Sequence, residues 1–118
     1  MVEEIEVFYL DEQKVEKKGV FKMRRLLADE ATNLYDLCQR KNTRTGVDLG
    51  TDNTKYIKLK LAAMVVDCPL TYQLKPWKDL DLQSKATSLG QSLEEDMYAR
   101  LMTKSQKMKR MTEEDENL

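Results

Sequence analysis

No histidine occurs in this chain, and that absence decides a good deal. It removes the commonest general base, the commonest transition-metal ligand and the side chain that changes charge near physiological pH. A Ser-His-Asp or Cys-His nucleophile cannot be assembled within the chain. Cysteine is scarce as well, at 2 of 118 residues, too few for a disulfide framework. Cys38 lies beside Leu34 and Leu37, and Cys68 beside Val65 and Val66, so both read as small buried hydrophobes. Glycine and proline are few, at 4 and 2. The TGVDLG stretch around Gly46 and Gly50 contains no GKS/T and no GxGxxG, so it is no phosphate loop. Asp48, Asp52 and Asn53 lack the spacing and the closing glutamate of a calcium loop. No catalytic residue, cofactor site or metal site is expected, and an enzyme ranks last among the readings.

Neither sign of charge dominates: 20 Lys and Arg stand against 21 Asp and Glu. No global field therefore draws the chain to nucleic acid or to an anionic membrane. No apolar run approaches the roughly 18–20 residues that span a bilayer. The first residues, MVEEIEVFYL, carry acids where a secretory signal would carry Lys or Arg, so a cytoplasmic location is expected. At 118 residues the chain is long enough for one core and not for two.

Along the chain, Ile5 and Val7 begin an apolar-polar alternation that ends in an aromatic run, and Val20, Phe21 and Met23 resume it beyond a polar turn. This predicts a β-hairpin, roughly 3–10 against 15–25. From Leu26 to Lys41 the period becomes helical, with Leu27, Ala31, Leu34 and Cys38 on one face and Tyr35 and Leu37 flanking it. NTRTGVDLGTDN then reads as a loop, in which Val47 and Leu49 suggest a brief strand pairing with the first hairpin. Thr51 or Asp52 caps a second helix, about 52–68, whose LAAMVV half is apolar nearly all round and which Pro69 stops. Residues 69–91 read as irregular with one or two helical turns. A final helix over 93–111 opens on a Ser92–Glu95 capping box and is followed by an acidic flexible tail over 113–118. The expected fold is thus mainly α, of α+β type: a small N-terminal hairpin and about three helices, one domain over 1–112.

The final helix carries Leu93, Met97, Leu101, Met108 and Met111 at helical spacing, widened by Tyr98 and Met102. A methionine-rich face is adaptable and suits a partner surface, although a terminal helix also docks such a face at home. Trp77, with Tyr72 nearby, is an aromatic anchor for a partner or a closing piece of the core. The candidate partner-binding residues are accordingly Tyr72, Trp77, Met97, Leu101, Met108 and Met111. Glu94, Glu95 and Asp96 occupy a first helical turn, where the helix dipole favours acids. Arg100, Lys104, Lys107, Lys109 and Arg110 wrap around the helix and are followed by acids, which makes a solvated face a better reading than a nucleic-acid footprint.

Several of these residues also carry a family resemblance. Phe21-Lys22-Met23-Arg24-Arg25-Leu26 leads into Asp29-Glu30 and the first helix with Leu34 and Cys38. The Gly46 loop follows, then Asn53-Thr54-Lys55-Tyr56 running into Leu-Ala-Ala-Met-Val-Val and the stop at Pro69. A closing helix holds Leu93, Tyr98 and Leu101. Over roughly 20–110 this order resembles the tail assembly chaperone family of long-tailed phages and of Gram-positive prophages. The resemblance implies a non-catalytic protein of the host cytoplasm that binds the tape measure protein, keeps it soluble, recruits tail tube protein and is absent from the finished virion. It also implies a longer form made by ribosomal frameshifting, and a homo-oligomer is compatible with it. The rivals are a head–tail connector or tail component that stays in the particle, and a small nucleic-acid-binding regulator.

Overall fold

The computed structural model describes residues 2–41 and 48–108. Strands β1 (Val2–Leu10) and β2 (Glu16–Arg24) form the expected hairpin, in continuous antiparallel register from Val2 opposite Arg24 to Leu10 opposite Glu16. Asp11 shapes the turn: one carboxylate oxygen accepts from the backbone N–H groups of Gln13 and Val15, both at 2.9 Å, and the other lies 3.1 Å from the Lys17 ammonium. The Val15 bond, helped by Lys17, holds this carboxyl below the usual range. One face of the hairpin packs inward through Val7, Phe21 and Met23, with Ile5 and Tyr9 partly covered. Gly19 belongs to that face for a steric reason: a Cβ there would stand 2.5 Å from Cγ of Pro69 and 2.9 Å from Cε1 of Tyr9.

Helix α1 (Ala28–Leu37) is tied to the hairpin by Glu30. Its carboxylate accepts from the Leu27 N–H at 3.0 Å and from the Arg24 guanidinium at 2.6 and 2.8 Å. Arg24, and then the Leu27 bond, depress the Glu30 carboxyl to about 2. The helix ends sooner than its apolar spacing predicts, because residues 39–41 extend as β3 (Gln39–Lys41) and pair with β4 (Asp48–Thr51). The expected pairing of the Leu49 segment with the first hairpin is thereby corrected, while Val47 and the Gly46 loop lie outside the described residues. The Asp52 N–H donates to the Cys38 carbonyl at 2.7 Å, closing this excursion and delivering Asp52 as the cap of α2 (Asn53–Met64). Its carboxylate accepts from the Lys55 N–H at 3.1 Å.

The second helix stops at Met64 and not near 68. Val65 and Val66, stiff at χ1, continue as β5 (Val65–Asp67), which pairs antiparallel with β2 and gives a three-stranded sheet of order β1-β2-β5. An apolar run does not reveal by periodicity where a buried helix becomes a buried strand. Pro69 therefore follows a strand.

Beyond it, β6 (Thr71–Tyr72) and β7 (Lys75–Pro76) form a tight hairpin, followed by one 3-10 turn at Trp77–Asp79. Both central turn residues, Gln73 and Leu74, have positive φ, 52° and 65°. Glu12 braces the turn by accepting from the Leu74 N–H at 3.2 Å and from the Thr71 hydroxyl at 2.6 Å. Leu74 is strained and also 85% exposed. Leu74→Gly relieves a left-handed L-residue at the cost of some unfolded-state entropy, and is expected to stabilise the protein by up to about 1 kcal/mol. Thermal melts check this; a lowered melting temperature would contradict it.

The stretch read as irregular contains a full helix, α3 (Leu82–Ser92), capped by Asp81, whose carboxylate accepts from the Ser84 N–H at 2.8 Å. Ser84, Thr87, Ser88 and Gly90 are weak helix formers that hid it. Packing supplies what propensity does not: Leu89 and Ser88 are buried, and the Ser88 hydroxyl donates to the Thr71 carbonyl at 3.0 Å. Because Ser92 closes α3, the Ser92–Glu95 capping box does not form. The last helix, α4, runs Glu95–Lys107 behind Glu94, which caps it without a side-chain bond. The architecture is α+β, with four α-helices among the described residues where about three were expected, and α3 and α4 pack against β1. Glu113 to Glu116 of the expected tail lie outside the described residues.

Candidate functional site

The core explains most of the candidate residues. Trp77 is 2% exposed, and its indole N–H donates to the Val65 carbonyl at 3.1 Å. Leu101 is fully buried, Met108 is buried, and Met97 and Tyr72 pack partly covered against the same cluster. Of the two readings open for Trp77 and for the α4 stripe, burial favours the core one for Trp77, Leu101 and Met108, all three of which are taken up by the protein's own core. Met111 lies outside the described residues. The stripe on α4 is apolar because it covers the sheet, where Lys104 also pairs with Glu3 of β1 at 3.0 Å.

Uncovered apolar side chains lie on two other faces: the outer side of the sheet, at Val2, Phe8, Val20 and Val66, and the surface of α1 and α2. Helix α1 buries Leu34, and Cys38 follows it into a small cluster with Leu59. At its N-terminal end and on the flanks of that stripe, large apolar groups stay in water. Leu27 is 71% exposed and Leu37 63%, with Tyr35 close to half. On the neighbouring helix Ile57 is 44% exposed. The Tyr35 and Tyr56 rings meet edge to face across α1 and α2, with centroids 5.9 Å apart. Exposed large apolar groups that gather on neighbouring elements mark an interaction surface more often than scattered single residues do.

A groove of about 390 Å³ runs beside this surface, between α1, α2 and the end of α4. Helical spacing on α2 brings Tyr56, Lys60 and Met64 to one wall together with Ile57 and Leu61. Leu26 and Ala31 form the α1 side, and Met102 and Met108 the α4 side. Among the described residues, two cations and no acid line it. The Arg25 guanidinium donates to the Met108 carbonyl at 2.6 Å, and the Lys60 ammonium stands 5.9 Å from the Tyr56 ring centroid. Among the described residues neither cation takes part in an ion pair.

A larger depression, about 910 Å³, lies between α2, α3 and the start of α4. Its walls mix apolar Leu59, Ala86, Leu93 and Tyr98 with Thr54, Gln83, Thr87 and Gln91, and carry charges of both signs at Asp52, Glu95, Lys55 and Lys58. It brings together neither a nucleophile with a base nor a uniform charge. The smaller groove is the better candidate because exposed apolar flanks and, among the described residues, one sign of charge coincide there.

Elsewhere, among the described residues no group of three or more Cys, Asp or Glu side chains is placed to hold a metal ion. Burial pushes the Cys68 thiol up to about 12, far from a reactive thiolate. Among the described residues no helix is long and apolar enough to cross a membrane. Compared with models of known protein families, with curated proteins and with solved structures, the chain matches none of them.

The α1–α2 surface left a signal in the sequence. Tyr35 and Leu37 widen the α1 stripe beyond what one contact covers, and Ile57 stands among lysines. What the pattern lacks is which flank of the stripe the rest of the protein occupies.

Proposed function

We propose that this chain is a non-catalytic tail assembly chaperone of a long-tailed phage or prophage, acting in the host cytoplasm. It binds apolar segments of the tape measure protein and recruits tail tube subunits around them. The observation that carries the reading is the apolar face left open on α1 and α2, beside a groove walled in part by methionine. Such a surface adapts to the varied apolar side chains of a long partner. The absence of histidine fits a protein that binds and does not catalyse.

The test is capture from infected or prophage-induced cells with this protein as bait, and assay of purified virions in parallel. Recovery of a very long helical protein and a tail tube subunit, with none of the bait in virions, is the expected result. Bait found in finished particles would assign it to the head–tail structure, and bait recovered with nucleic acid would make it a regulator; either result overturns the reading.

A further inference from the structure

The groove between α1, α2 and α4 also has a chemistry that narrows its occupant, and this step rests on the reading of the chain as a protein-binding chaperone. We propose that the groove takes one amphipathic α-helix of a partner, whose apolar side chains enter between α2 and α4 and whose flanks carry Asp and Glu.

Three observations support that choice. The walls come mostly from helices, so among the described residues the groove offers ridges and hollows for a helix and no strand edge for backbone pairing. The α2 wall runs from Tyr56 to Met64, about 12 Å at helical rise, which accommodates about two turns of a partner helix with apolar residues at i, i+3 or i+4, and i+7. The charged groups of the groove are Arg25 and Lys60, both cationic and neither in an ion pair among the described residues. A basic helix would bring like charges to both, whereas an acidic flank gives each a partner in a site that the apolar residues partly desolvate.

Flexible Met64 and Met102 fix no single side-chain shape, so the groove selects by periodicity and charge more than by the identity of each apolar residue. Leu27 and Ile57, exposed beside it, extend the contact.

The test uses the full chain and three labelled 18-residue helical peptides, read by fluorescence anisotropy. One carries Leu at i, i+3 and i+7 with Glu flanks, the second has the same apolar face with Lys flanks, and the third scrambles the first. The acidic amphipathic peptide is expected to bind at least tenfold more tightly than either of the others. Lys60→Glu, an exposed change that leaves the core untouched, should erase or invert the preference for Glu over Lys flanks. Ile57→Asp should weaken the acidic peptide tenfold or more, with circular dichroism confirming the fold of both variants.

Equal or tighter binding of the basic or the scrambled peptide would overturn the proposal, as would unchanged binding to Ile57→Asp. So would a self-associated chain that Ile57→Asp converts to monomer, since the groove would then belong to a second copy. Failure here is distinct from failure of the chaperone reading. Tape measure capture that survives Ile57→Asp removes the groove and keeps the function. Peptide selectivity without tape measure capture keeps the groove and removes the function.

Discussion

Leu101→Asp is expected to prevent folding, not merely to release a partner. Leu101 has no solvent-exposed surface and sits among Val7, Phe21, Met23 and Leu89 beneath the sheet. A carboxylate there either stays charged without a partner or takes up a proton at a strongly raised pKa, and both options cost several kcal/mol beyond the lost leucine contacts. Against a stability of about 5–15 kcal/mol typical of small domains, a cost of more than about 5 kcal/mol leaves little native protein. Circular dichroism and size-exclusion chromatography would show loss of the native state. A folded Leu101→Asp chain that had lost only partner binding would contradict the placement of α4 and return its stripe to the partner.

Trp77→Ala carries the next largest expected effect, about 3–5 kcal/mol of destabilisation. Removing the indole opens a cavity between β5 and α3 and leaves the Val65 carbonyl without the N–H it accepts from at 3.1 Å. That carbonyl belongs to the strand that extends the hairpin to three strands, so the loss also weakens the β2–β5 pairing. This is the chain's single tryptophan, so unfolding of the variant must be followed by circular dichroism, with wild-type tryptophan emission as the companion signal. A shift below about 1 kcal/mol in urea titration would show that the ring is not spent on the core.

These two residues show how far the sequence could be read. The hairpin was legible because alternation and a polar turn agree, and Asp11 then satisfies that turn with its own carboxylate. The cap at Asp52 was legible for the same local reason. The end of α2 was not, because the LAAMVV run is apolar whichever way it winds, and only the neighbouring β2 decides that Val65 extends. Helix α3 was hidden by serine, threonine and glycine, and is held by contacts with α2 and β6 that no local pattern encodes.

The candidate site had the same difficulty. Periodicity shows that α4 and α1 each carry an apolar stripe, but not which stripe is covered at home. Chain topology settles that: the sheet takes up Leu101 and Met108 of α4, while α1 meets its own protein through Leu34 and leaves Tyr35 and Leu37 outside. The proposed partner surface accordingly lies on the first two helices and not on the last.

On the function proposed above, the open α1–α2 face and its groove bind the partner, and the α4 stripe does not. The most direct test is the bait capture repeated with Ile57→Asp, the fold of the variant verified beforehand. Loss of the tape measure protein from a correctly folded Ile57→Asp bait is the predicted result. Undiminished capture by that bait would contradict the claim.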